Sequence, residues 1–79
     1  MLPSNLPSDV SQKRLAKAFQ KAGFILDVSA GKGGHYKLVD SKSNKFITLQ
    51  HNLWKIVLKK KLQQAEDLGY DATEIMNNY

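Results

Sequence analysis

The sequence predicts an α+β domain: two amphipathic helices flank a three-stranded antiparallel sheet, with a short extra helix at the C-terminal end. Three observations carry this reading. Apolar residues recur at three- and four-residue spacing over residues 15–22 and again over 54–68, as helices with one buried stripe require. Between them, residues 24–28, 35–40 and 45–49 alternate in polarity, the period of a strand with one covered face. Glycine-rich or polar segments at 29–34 and 41–44 separate these runs, and such short connections favour antiparallel neighbours.

Residues 1–9 contain both prolines and read as a flexible arm ahead of a single domain over 10–79. Ser11 suits a helix N-cap, with Val10 placed to pack on Leu15 as a hydrophobic staple. Leu15, Ala18, Phe19 and Ala22 form the first apolar stripe; Lys13, Arg14, Lys17 and Lys21 take the other faces. Gly23 stops this helix, and Phe24 is expected to fold back on Phe19. In the first strand Phe24, Leu26 and Val28 oppose Ile25 and Asp27. In the second, Tyr36 and Leu38 oppose His35, Lys37 and Val39. Asn52 is placed to cap the second helix, whose apolar face gathers Trp54, Val57, Leu58, Leu62, Ala65 and Leu68 before Gly69 ends it. Asp71 and Glu74 have capping-box spacing for a last short helix to about Asn77, with Tyr70 and Ile75 as its staple. Both longer helices must bury their stripes, so they cover one sheet face and leave the other open. The α-β-β-β-α order is that of a double-stranded-RNA-binding domain. With Tyr36 and Leu38 turned inward, His35 and Lys37 face solvent.

Composition narrows the function classes. Seventy-nine residues allow one domain with a small core. The absence of cysteine excludes disulfides and thiolate metal sites and points to a cytoplasmic protein. The longest apolar run, Phe24-Ile25-Leu26, is far too short to span a membrane, and residues 1–7 lack the basic and apolar regions of a signal peptide. A net charge of +5 favours an anionic partner. From Val28 to Ala65 the chain carries Lys32, Lys37, Lys42, Lys45, Lys55, Lys59, Lys60 and Lys61 against the single carboxylate Asp40.

The most informative stretch is Gly31-Lys32-Gly33-Gly34-His35-Tyr36-Lys37. Glycines permit close backbone approach, and histidine is the side chain whose ordinary pKa lies near neutrality. In a basic groove this combination suits proton transfer on RNA. The glycines do not make a nucleotide-binding loop, because the strand–loop–helix context is missing. Two histidines without clustered carboxylates make a poor metal site, so no metal and no small-molecule cofactor is expected.

Asp9-Val10-Ser11 before a helix, Ala22-Gly23-Phe24 at its end, Gly33-Gly34-His35, and Ile47-Thr48-Leu49-Gln50-His51 before the second helix follow in an order that resembles the HicA toxins. These are small ribonucleases of bacterial and archaeal toxin–antitoxin pairs, and the resemblance runs almost end to end. It implies a double-stranded-RNA-binding-domain-like fold, His35 as the catalytic residue, messenger RNA as substrate and a HicB-type antitoxin as inhibitor. The chain differs from the family in Gly34, where serine is usual, and in Leu49, where proline is common. Its lysine-rich 55–62 stretch and its longer tail beyond Gly69 also depart from the pattern.

The expected activity is a metal-independent endoribonuclease with His35 as general acid/base. Lys32, Gly33, Gly34, Lys37, Lys59 and Lys60 would contact RNA; Lys59, Lys60 and Lys61 wrap around their helix, so at most two can face one groove. His51 is a candidate auxiliary that caps the second helix, touches phosphate or carries a second proton. Trp54 and Tyr36 lie on apolar stripes and are expected in the core rather than stacked on bases. The alternative is a catalytically inactive RNA-binding module of the same fold.

Overall fold

The chain enters its first helix where Ser11 is extended and its hydroxyl accepts the Arg14 amide at 3.3 Å, satisfying one free donor of the opening turn. α1 then runs Gln12–Ala22, burying Leu15, Ala16, Ala18 and Phe19 along one stripe. Gly23 ends it at φ 125°, a backbone that L side chains rarely adopt, and an added Cβ would meet the Tyr70 ring at 3.3 Å. Phe24 turns back on Phe19 as predicted, with ring centroids 5.2 Å apart. The computed structural model describes residues 6–28 and 35–79; the predicted 29–34 connection and residues 1–5 of the predicted arm lie outside them.

β1 (Phe24–Asp27), β2 (Tyr36–Asp40) and β3 (Phe46–Leu49) form an antiparallel sheet in the order β1-β2-β3. Val28, His35 and Lys45, predicted as strand residues, fall outside the ladder. Register fixes the faces. Leu26, Leu38 and Ile47 lie side by side, as do Tyr36 and Leu49, and these inward residues are buried or half-buried under the helices. Ile25, Val39 and Phe46 form one outward row and Asp27, Lys37 and Thr48 the next. The sheet face left open is the one predicted.

α2 (Lys55–Asp67) and α3 (Ala72–Asn77) complete the α+β order α-β-β-β-α-α. α2 buries Leu58, Leu62 and Ala65 against the sheet and α3. Gly69 at φ 96° ends it in a Schellman arrangement: its own amide bonds Glu66 and the Tyr70 amide bonds Ala65 at 3.0 Å. Burial of Leu15, Phe19, Leu38, Ile47, Leu49, Leu58, Leu62 and Ile75 contributes about 1.5–3 kcal/mol each.

Three local expectations give way to tertiary contacts. Leu6, inside the predicted arm, is buried in the core, and Val10 forms an isolated antiparallel bridge with Leu53. Asn52 does not cap α2. That place falls to Trp54, extended at φ −72°, ψ 165° and without a side-chain cap bond, because Leu53 is held back in the bridge to Val10. Trp54 therefore leaves the apolar stripe and is 68% exposed. Asp71 caps α3 by accepting the Thr73 amide at 2.9 Å, but the Ala72 amide goes to Glu66 at 2.7 Å, which holds the Glu66 carboxyl below its ordinary value. Tyr70 packs on the core that includes Ile75, stacks on Phe24 at 4.2 Å and reaches Asp40.

Asp40 ties the β2–β3 turn to the end of α2. It is buried, and its carboxylate accepts the Tyr70 hydroxyl at 2.7 Å, the Ser43 hydroxyl at 2.7 Å and the Lys42 amide at 3.2 Å. The Ser43 and Tyr70 hydroxyls hold its pKa below the ordinary carboxylate value against the opposing effect of burial. The same bond, with burial and the Asp40 charge, pushes Tyr70 up to about 12. Asn44 takes a left-handed φ of 61° to close the turn, a conformation asparagine tolerates.

Candidate nucleic-acid interface

Strand alternation sets the open face. His35 immediately precedes β2 with the parity of Lys37 and is exposed. Lys37 is half-buried, and its ammonium lies 4.4 Å from the centre of the Phe46 ring, a cation–π contact that holds the stem across the sheet. Its cross-strand partners are Thr48 on β3 and Asp27 on β1. Lys61 reaches over the β3 edge and its Nζ donates to the Thr48 hydroxyl at 3.5 Å. Burial of that side chain lowers the Lys61 pKa. Lys37 and Lys61 thus both reach β3, one over the Phe46 ring and one at the Thr48 hydroxyl.

The predicted site residues divide among three places. Lys32, Gly33 and Gly34 lie outside the described residues. Lys59 and Lys60 are exposed on α2, but Lys59 lies about 200° round the helix from Lys61, so it points away from the β3 edge. His51 is exposed between β3 and α2, where it lines a cleft of about 470 Å³ with Asp9, Lys13, Tyr36 and Asn52. Tyr36 is half-buried at the core edge, in line with its predicted packing.

Lys61 and Thr48 were not singled out by sequence reasoning. The signal for Lys61 is its position beside Leu62 on the flank of the buried stripe, one step from the sheet. Ile25 and Phe46, 55% and 53% exposed, give the open face an apolar row that strand parity alone implies. Among residues 28–65 the only acid is Asp40, and its carboxylate is turned inward and engaged. No carboxylate of that span therefore offsets the lysines at the surface, and the acid on the open face is Asp27, across from Lys37 on β1.

Among the described residues no three His, Cys, Asp or Glu side chains are grouped as metal ligands, and no helix is long and apolar enough to cross a membrane. Fold and surface together define a small basic α+β domain with an exposed histidine on an open sheet face. No family model, curated protein or solved structure matches this chain.

Proposed function

We propose that this chain is an endoribonuclease of the HicA kind, with a double-stranded-RNA-binding-domain-like fold. It acts on messenger RNA in the cytoplasm as the toxin of a type II pair and is held in check by a HicB-type antitoxin. The observation that carries this reading is the place of His35, exposed before β2 and sharing the uncovered sheet face with Lys37. RNA lying on that face meets an imidazole without any rearrangement of the core. His35 takes the proton of a ribose 2′-OH; the 2′ oxygen attacks the adjacent phosphorus and the 5′ oxygen leaves, giving a 2′,3′-cyclic phosphate. The nucleophile belongs to the RNA, so the step requires no cofactor. Lys37 and Lys61 supply positive charge where negative charge builds on the phosphate.

The test is His35→Ala assayed on end-labelled RNA in chelator. Truncating an exposed side chain shifts stability by no more than about 0.5 kcal/mol. RNA binding persists, while cleavage falls about a hundredfold or more. Wild-type products end in a cyclic phosphate or its 3′-phosphate descendant, and a 2′-deoxy residue at the cut blocks the reaction. Undiminished cleavage by folded His35→Ala protein would overturn the assignment.

A catalytically silent RNA-binding module of the same fold is the second reading, and one observation favours it. Among the described residues no side chain hydrogen-bonds His35 to orient the ring, as general bases are usually oriented. Binding without cleavage by the wild-type protein selects this reading.

A further inference from the structure

We propose that the start of α2 is a stacking site for single-stranded RNA, in which Trp54 receives a base and Lys55, Lys59 and Lys60 hold the neighbouring phosphates. This rests on the RNA reading of the domain, though not on the chemistry of His35. Trp54 is 68% exposed and Ile56, on the same outer turn, 71% exposed. Leaving these two side chains in water is unfavourable, and nothing described in the fold covers them. Lys55 and Lys59 are four residues apart and share a helix face, as do Ile56 and Lys60. No acid occurs from residue 41 until Glu66, so the lysines of this ridge meet no carboxylate from their own segment; Asp9, across from Trp54 by the register of the Val10–Leu53 bridge, is the acid that the fold brings beside the indole.

That pairing of an open indole face with interleaved lysines fits a polyanion bearing flat bases. Each base offers a π-face to the ring, and each phosphate offers a charge to a lysine. An acidic protein partner fits the charge but not the area. One tryptophan and one isoleucine fall well short of the roughly 800 Å² that a stable protein interface buries on each side.

Trp54 is the single tryptophan, so its fluorescence reports this site directly. The experiment titrates the intact protein with an uncleavable 2′-O-methyl decanucleotide and follows indole emission, fluorescence anisotropy of the labelled oligomer and acrylamide quenching. Saturable quenching is expected, together with shielding from acrylamide and a log–log salt slope of about −2 for three lysines. Trp54→Ala is expected to weaken binding about five- to a hundredfold and Trp54→Phe much less. Oligomer binding that leaves the indole emission and its acrylamide access unchanged would overturn the proposal. It would leave the His35 reading standing. Quenching by this oligomer, with no cleavage of unmodified end-labelled RNA in the separate assay, would sink the enzyme reading and leave this one intact.

Discussion

α1 and α2 are similar in length and both cover the same sheet face, yet they begin in opposite ways. α1 opens with a Ser11 side-chain cap. Tyr79 is docked across that end: its hydroxyl accepts the Ser11 amide at 2.9 Å, its backbone oxygen accepts Arg14 Nη2 at 2.6 Å, and its ring lies 4.2 Å from the Arg14 guanidinium. α2 opens with no side-chain cap and sets Trp54 and Ile56 in solvent. The difference separates two tasks. The start of α1 is satisfied internally and stabilises the domain, whereas the start of α2 leaves local stability unclaimed and presents a surface instead, the usual relation between stability and function.

The widest gap between the two helices is expected from side-chain truncation. Leu15→Ala in α1 opens a cavity at a fully buried site and costs about 2–5 kcal/mol, whereas Ile56→Ala on the outer turn of α2 stays within about 0.5 kcal/mol. Urea denaturation of the two variants reads this directly; equal losses would mean that Ile56 is packed. Next comes Gly23→Ala at the end of α1, where a left-handed φ and the Tyr70 ring together cost about 1–2 kcal/mol or more. The accompanying sign is a blue shift of tyrosine absorbance as Tyr70 is displaced.

The Asp40–Tyr70 pair predicts a stability profile with two shoulders. The folded pKa of Asp40 is lowered, so its contribution is present above the unfolded value near 4 and is lost as pH falls through the folded one. Tyr70 is raised to about 12, so its contribution is complete below the unfolded value near 10 and is lost as pH rises towards 12. Tyr70→Phe should lower Tm by several degrees at neutral pH and remove the alkaline shoulder. An unchanged Tm above pH 10 in the wild type would break this assignment. The smallest effect sharpens the comparison most: Trp54→Asp supplies the cap that α2 lacks and should raise stability by up to about 1 kcal/mol while weakening RNA binding. A loss of stability would mean that Trp54 packs after all.

Much of the fold is legible in particular residues. Ser11, Gly23 and Gly69 mark helix ends through local backbone chemistry, and the alternation of Phe24, Leu26, Tyr36 and Leu38 assigns the covered face. His35 and Lys37 fall on the open face for the same reason, since strand parity is a property of neighbouring residues. Asn52 and Trp54 mislead because apolar spacing continues through the loop before α2. A helical stripe read from sequence extends to Trp54, but an N-cap residue has an extended backbone and its side chain leaves the stripe.

By itself the sequence determined the element order, the antiparallel meander, the open sheet face and the concentration of positive charge. These depend on period, on local caps and on residue type, all of which act within a few positions along the chain. Only the tertiary structure decided that Leu53 pairs with Val10 and so turns Trp54 outward, that Lys61 rather than Lys59 reaches Thr48, and that Tyr70 and Ser43 close on Asp40. Those contacts join residues as many as 43 positions apart, as between Val10 and Leu53, and the choice among competing partners rests on which pairing buries the most apolar surface while satisfying each polar group.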